Sequence, residues 1–246
     1  MSKPRVAFFD LTSCEGCQLQ FLNCEQEIPH LLAAVDIVNF REAISERSND
    51  YDVALIEGSV TCDEDIERAK DIRSRAKIVV AFGACASIGG VNCLKNKYPM
   101  DELKKTVYGK CAGYYNTLPT KPLDAVIKVD YYIKGCPPSK EEILKVIKAL
   151  LLGKKPDIPN VPICSECKLA GNVCVFEKDQ FCLGPVTLAG CLAICPTNNE
   201  GCNGCRGLMK EPNINAEKII LEKYGLTAGE MIAQFNRYNG CTEVIK

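Results

Sequence analysis

The sequence contains no tryptophan, a single histidine and almost no net charge (30 Lys and Arg against 31 Asp and Glu). Each of these absences excludes something. One histidine, His30, leaves no Ser/His or Cys/His pair for nucleophilic or general acid–base catalysis. In Ile28-Pro29-His30-Leu31 it reads as a helix-end or loop residue with no ligand partner near it in sequence. Balanced charge offers no basic face for a nucleic-acid partner and no acidic tail. Long apolar runs are lacking as well. The longest helix-like one, Ile143 to Leu152, is interrupted by Lys145 and Lys148, so no membrane span is expected. Met1-Ser-Lys-Pro-Arg5 runs straight into Val6-Ala7-Phe8-Phe9, without the charged and apolar regions of an export leader. A cytoplasmic location is the expectation.

Cysteine, by contrast, is in great excess: 17 residues of 246. Disulfide frameworks belong to small secreted domains with poor cores. At 47% hydrophobic residues this chain is long enough and apolar enough to bury a core unaided. Short-spaced cysteines in such a chain point to thiolate ligation of metal. Any one set of four suits zinc as well as an iron–sulfur cluster, but several zinc sites are more stapling than a chain with its own core requires.

Up to Leu152 the pattern alternates strands and helices. Strands are expected over 5–11, 35–40, 52–57, 77–82 and within 122–133, and helices over 17–32, 63–75 and 139–151. Asp-rich at its start and Arg-rich at its end, the 63–75 segment suits a helix dipole. Ser139, with Glu142 three residues on, has the form of a capping box. Short β-rich runs separated by helices predict an α/β fold with a parallel sheet covered on both faces, of the flavodoxin-like doubly wound kind. The stretch 92–121 reads as an excursion of mixed structure. After Gly153 the Pro-studded linker Gly153 to Pro162 leads to eight cysteines in 42 positions, Cys164 to Cys205. Large apolar residues are sparse there, so bound clusters are expected to organise that part. One or two helices follow from Asn213 to Arg237. The division expected is 1–152, a flavodoxin-like domain, and 153–246, a cysteine-rich domain with the C-terminal helices.

The cysteines fall into three sets of four. Cys14 and Cys17 follow the first strand, Cys85 the fourth and Cys136 the fifth, which brings all four to carboxyl ends of strands in one sheet. Open α/β sheets form their ligand sites there, and four converging thiolates supply a [4Fe–4S] environment. Gly83, Gly89, Gly90 and Gly135 allow close approach of the backbone. Cys164, Cys167, Cys174 and Cys182 form a second set. Cys191, Cys195, Cys202 and Cys205 form a third. Ligands in two-cluster segments interleave, so exchange between these two sets stays open at this point. Cys24, Cys62, Cys93, Cys111 and Cys241 remain and read as small buried or partly buried thiols, with Cys62 the one expected to come nearest the first set. Glu15 and Glu57 are candidates for groups lying behind the first four thiols, or for ordinary surface and cap carboxylates.

Cys14-x2-Cys17, Glu57-Gly58-Ser59-Val60, Gly83-x-Cys85-x3-Gly89-Gly90 and Gly135-Cys136-Pro137 together resemble the small subunit of nickel–iron hydrogenases. So do Cys182-Leu-Gly184-Pro185-Val-Thr187-x3-Cys191 and Cys202-x2-Cys205-Arg-Gly. The resemblance runs over nearly the whole chain. It is strongest to the δ subunit of cytoplasmic, sulfhydrogenase-type enzymes, in Leu11-Thr-Ser-Cys14 and Lys128-Val-Asp130. It implies three [4Fe–4S] clusters: proximal on Cys14, Cys17, Cys85 and Cys136, distal on Cys164, Cys167, Cys174 and Cys182, and medial on Cys191, Cys195, Cys202 and Cys205. Two departures from the periplasmic enzymes stand out. Cys164 takes the place of a distal histidine, and Cys195 adds a fourth thiolate at a medial site that holds three irons in those enzymes. The family's nickel ligands have no counterpart here. The resemblance therefore implies that hydrogen is activated at a NiFe centre on a partner large subunit, and that iron–sulfur and flavin (FAD or FMN) subunits exchange the electrons with NAD(P) or ferredoxin. Two other readings remain at this stage: a free-standing ferredoxin-like carrier, and the cluster subunit of a complex I-like quinone oxidoreductase.

Overall fold

The structure, a computed structural model, describes residues 3–242. Five strands, β1 (Arg5–Asp10), β2 (Asp36–Asn39), β3 (Val53–Glu57), β4 (Ile78–Phe82) and β5 (Tyr131–Ile133), pair in parallel in the order β2-β1-β3-β4-β5. This is the flavodoxin-like order. The strands read as unbroken apolar runs because both faces are covered, and neighbouring residues divide between them. Phe9, Ile56 and Val79 enter one apolar cluster, which Ala69, Ile72 and Ala86 complete from the helices of that face. Their neighbours Phe8, Leu55 and Val80 enter the other, with Phe21, Leu31, Ile143 and Val146. There Phe8 stacks on Phe40 at 4.4 Å between ring centroids.

Two expected elements are shorter than their sequence pattern. The helix expected over 17–32 is two helices, α1 (Gly16–Leu22) and α2 (Ile28–Ala34). Pro29 has no N–H to donate to a preceding turn and sits instead in the first turn of α2, where none is needed. The fifth strand is only Tyr131–Ile133. Before it, a 3₁₀ turn at Leu123–Ala125 buries Leu123, and the Asp130 carboxylate accepts from Val79 N at 2.8 Å and pairs with Arg73 at 2.5 Å. Helix α3 (Asp63–Arg75) matches its expected span. Helix α4 (Gly83–Ile88) follows β4 directly, and a 3₁₀ segment (Gly90–Lys97), α5 (Met100–Tyr108) and a second 3₁₀ segment (Gly109–Tyr114) make up the excursion.

Helix α6 (Lys140–Leu151) starts at Ser139, whose hydroxyl accepts from Glu142 N at 3.2 Å. The reciprocal half of the expected capping box is missing. The Glu142 carboxylate accepts from Lys134 N at 3.0 Å and faces Arg206 at 2.5 Å, a stronger partner than an amide.

Beyond the linker come α7 (Ile163–Leu169), α8 (Ile194–Thr197), α9 (Ile214–Lys223) and α10 (Ala228–Asn239). A full capping box, Thr227 with Glu230, opens α10. This part is not organised by its thiols alone. Ile163, Phe176, Leu183, Leu221, Met231 and Phe235 pack into a third apolar cluster, much of it from α9 and α10. Cys93 and Cys241, which read as ordinary thiols in the sequence, form a disulfide with Cα atoms 5.5 Å apart. It ties the second residue beyond α10 to the 3₁₀ segment that follows α4.

Candidate functional site

The loop after β1 carries Cys14 and Cys17 into the first turn of α1, where backbone N–H groups lack intrahelical partners. Glu57, the last residue of β3 and 2% exposed, supplies them. Its carboxylate accepts from Gln18 N at 2.9 Å and from Cys17 N at 3.4 Å. Burial raises the Glu57 pKa, and these N–H donors oppose the rise. Of the two carboxylates singled out in the sequence, Glu57 is thus built in behind the thiols. Glu15 lies at the rim, with φ +61°, paired to Arg41, which also reaches Asp10 at 3.2 Å.

Cys85 in α4 and Cys136 after β5 complete the first set. Burial raises the Cys17 thiol's proton affinity most, then the charges of Glu57, Cys85, Cys136 and Cys14, its neighbours at this end of the sheet. Cys85 is pushed up to about 12, by burial first and then by Cys136 and Cys14. Glycines leave the room. A Cβ on Gly90 would come 3.0 Å from the Cys85 sulfur, and one on Gly83, at φ +89°, would collide with that of Cys17.

The second set lies around α7, which presents Cys164 and Cys167 one turn apart. Cys164 is pushed up to about 12 by burial, then by Cys182, Cys167 and Cys174. A Cβ on Gly184 would stand 3.2 Å from the Cys182 sulfur and 3.5 Å from that of Cys164. Backbone N–H groups of Gly184 (3.4 Å) and Cys202 (3.3 Å) donate to the Cys182 sulfur, and Asn172 Nδ2 to that of Cys167 at 3.7 Å.

Glu217 on α9 lies beside this set, 1% exposed, with neither carboxylate oxygen partnered. Its charge acts on Cys164 and Cys182, and burial pushes its own pKa up to about 8. In the unfolded chain the same carboxyl ionises near 4.5. The contribution of this group to stability is therefore complete below that pH and is lost as pH rises toward about 8. The loss is on the order of 5 kcal/mol, at about 1.4 kcal/mol per pH unit. Glu217→Gln is expected to flatten the fall in stability across this window, read as the anaerobic unfolding midpoint against pH. An unchanged profile would count against the assignment.

The third set, Cys191, Cys195, Cys202 and Cys205, lines a cavity of about 460 Å³ together with Cys136 and Tyr238. Cys205 is pushed up to about 12, by burial first and then by the charges of Cys191, Cys195 and Cys136. Cys202 is raised by burial first, with Cys182 and Cys205 as its thiol neighbours. The Tyr238 hydroxyl is pushed up to about 12, by burial first and then by the charges of Cys136 and Cys205. Tyr238, Arg206 and Glu217 were not singled out in the sequence. Only Arg206 carried a local signal, as the residue following the last C-x-x-C.

The remaining cysteines lie elsewhere. Cys62 is at the N-cap of α3 against Asp65 and Glu64, so the first set has Glu57 and glycine backbone around it instead. Cys24 is buried, with its thiol toward Gln20 O at 3.6 Å, and Cys111 is exposed. His30 lies in α2, exposed.

Four thiols per set, glycines where a Cβ would strike sulfur, and N–H groups aimed at sulfur are the donors and surroundings that an iron–sulfur cubane takes. Among the described residues, no three His, Cys, Asp or Glu side chains close on one point as the ligands of a single zinc ion do.

A 2-1-3-4-5 sheet that gathers thiols at its strand ends, continued by an eight-thiol segment, has the form of an electron-transfer subunit. Known proteins agree. Residues 14–150 match the family described as NADH ubiquinone oxidoreductase, 20 Kd subunit. Sulfhydrogenase 2 subunit delta of Pyrococcus furiosus is 37% identical, over 89% of this chain and 92% of its own length. A subunit of the F420-non-reducing hydrogenase vhu of Methanococcus voltae is 32% identical, over 96% and 95%. Among solved structures, a chain of an NAD+-reducing [NiFe]-hydrogenase in the H2-reduced state is 29% identical, with a TM-score of 0.59 over 64% of this chain and 96% of that one. A chain of the Ni-Fe-Se hydrogenase of Desulfomicrobium baculatum, 16% identical, shares the fold at a TM-score of 0.56 over 88% of this chain and 98% of its own. The chain belongs to this family, as a small, non-nickel subunit of a hydrogenase.

Among the described residues no helix is long and apolar enough to cross a membrane.

Proposed function

We propose that this subunit carries electrons through three [4Fe–4S] clusters between the NiFe site of a large subunit and a flavin- and iron–sulfur-bearing module that exchanges them with NAD(P) or ferredoxin. Cys14, Cys17, Cys85 and Cys136 hold the proximal cluster. Cys191, Cys195, Cys202 and Cys205 hold the medial one. Cys164, Cys167, Cys174 and Cys182 hold the distal one. When bound, each cluster supplies one-electron redox chemistry, and the residues of this chain fix their order and tune their potentials. Residues 1–152 and 153–246 act as the two units of the subunit, and the site of action is the cytoplasm.

The observation that carries this reading is a pair of contacts between the sets. Cys136 of the first set lines one cavity with all four thiols of the third, and Cys202 of the third donates its backbone N–H to the Cys182 sulfur of the second. The third set thus bridges the other two, as a relay with a medial station requires. Exposed Leu19 in α1, and Leu192 and Ile194 at the mouth of the third-set cavity, offer apolar surface beside the thiols for another subunit to cover.

The test is anaerobic purification of the intact complex. Three cubanes require about twelve irons and as many acid-labile sulfides per chain, in a particle that also contains nickel. A protein with far less iron, or one that runs alone on gel filtration after gentle lysis, would overturn the proposal.

A further inference from the structure

Arg206 is the largest fully buried side chain of the protein, 1% exposed. Its Nε donates to Leu188 O at 3.0 Å and Ala189 O at 3.1 Å, and its Nη1 to Lys134 O at 2.6 Å. Its Nη2 lies 2.5 Å from the Glu142 carboxylate, also buried, whose other oxygen accepts from Lys134 N. The guanidinium therefore holds two stretches of backbone at once. One leads through Gly190 into Cys191, and the other leads through Gly135 into Cys136. Arg206 itself follows Cys205. Position 190 is open for this purpose, since a Cβ there, at φ +127°, would come within 2.6 Å of Glu142 Oε2 and 2.8 Å of Arg206 Cζ. Ser139 Oγ, donating to Gly190 O at 3.1 Å, adds a second tie across the same seam.

A buried ion pair adds little net stability over apolar side chains of the same volume, because both charges must leave water. What it does supply is geometry and a directed field. We infer that Arg206, held by Glu142, is a positioning and potential-setting residue that fixes the third thiol set against the first and raises the reduction potential of the cluster held by Cys191, Cys195, Cys202 and Cys205. This deepens the cluster assignment above and rests on it. The positive end of the pair lies with Cys205 and Cys191, and the negative end lies on α6. A cluster that gains an electron gains negative charge, so a nearby guanidinium favours the reduced form.

The two members of the pair give opposite signs. In the intact complex, potentiometric titration followed by electron paramagnetic resonance is expected to show the medial midpoint lowered in Arg206→Met and raised in Glu142→Gln, which leaves the positive charge uncompensated. Each shift is expected to reach about a tenfold change in the oxidised-to-reduced ratio, 59 mV for one electron. Arg206→Lys, which keeps the charge and loses the fork, restores most of the midpoint. Loosened packing alone would move both variants the same way. Shifts of equal sign, or midpoints that stay at the wild-type value in fully loaded variants, overturn the inference. Should Arg206→Met fail to assemble, Glu142→Gln and Arg206→Lys still decide the sign. Iron content separates the two levels: a wild-type complex without its irons sinks the cluster assignment, whereas a loaded complex with unmoved midpoints sinks only the role of Arg206.

Discussion

Replacing Cys85 or Cys136 with serine is expected to abolish hydrogen-driven dye reduction by the assembled complex. Even residues behind a metal's ligands cost about 10- to 100-fold when mutated, and a ligand costs at least that. Iron should fall from about twelve to about eight per chain, one cubane's worth. No spare thiol stands by to rescue the site. Cys62 stands at the N-terminus of α3, and Cys93, the cysteine that follows Cys85 in the chain, is closed in its disulfide with Cys241. Cys85 also has little freedom to shift, because Gly90 folds back against it closely enough that a Cβ would touch its sulfur. Activity and iron content near wild type in either variant would remove the first set from the relay.

The second large effect lies in packing. Phe235→Ala is expected to destabilise the protein by about 3 to 5 kcal/mol, the usual cost of emptying a buried phenylalanine site. For a chain of this size that lowers the anaerobic unfolding midpoint by roughly 6 to 20 °C. Phe235 is fully buried on α10 among Leu183, Leu221 and Met231. One turn further along the same helix, Tyr238 lines the third-set cavity with Cys136, and beyond it Cys241 is pinned by its disulfide. The substitution should therefore also disturb the seam between the first and third thiol sets. A midpoint within about 2 °C of wild type, less than 1 kcal/mol moves it at this size, would mean that bound clusters alone hold this region.

The parallel sheet was legible because it is written locally, and so were the short-spaced cysteine pairs proposed as ligands. Apolar runs such as Ile78–Phe82 announce a strand covered on both faces, and C-x-x-C spacing announces ligands whatever the fold. Features assembled from remote segments were not legible. Glu142 has the spacing of a capping-box partner for Ser139, and nothing in its neighbourhood reveals that Arg206, 64 residues later, claims it. The apolar cluster around the eight thiols is another such case. It looks poor in sequence between Cys164 and Cys205 because Leu221, Met231 and Phe235 arrive from helices that follow. Glu217 resembles a routine charge on an amphipathic helix, and only the packing of α9 shows that its carboxylate is cut off from water and from partners. Cys93 and Cys241, 148 residues apart, carry no spacing signal at all.

The cavity that Cys136 shares with the third set, and the bond from Cys202 to the Cys182 sulfur, have a consequence for biosynthesis. Of the three sets, the one that leaves the ribosome last is the one proposed above as the centre of the row, flanked by sets completed earlier. The two outer sites can gather their thiols while the chain is still growing, but the central one cannot exist until some five-sixths of the polypeptide has emerged and turned back between its elders. A truncated product could thus hold both ends of the row and still conduct nothing.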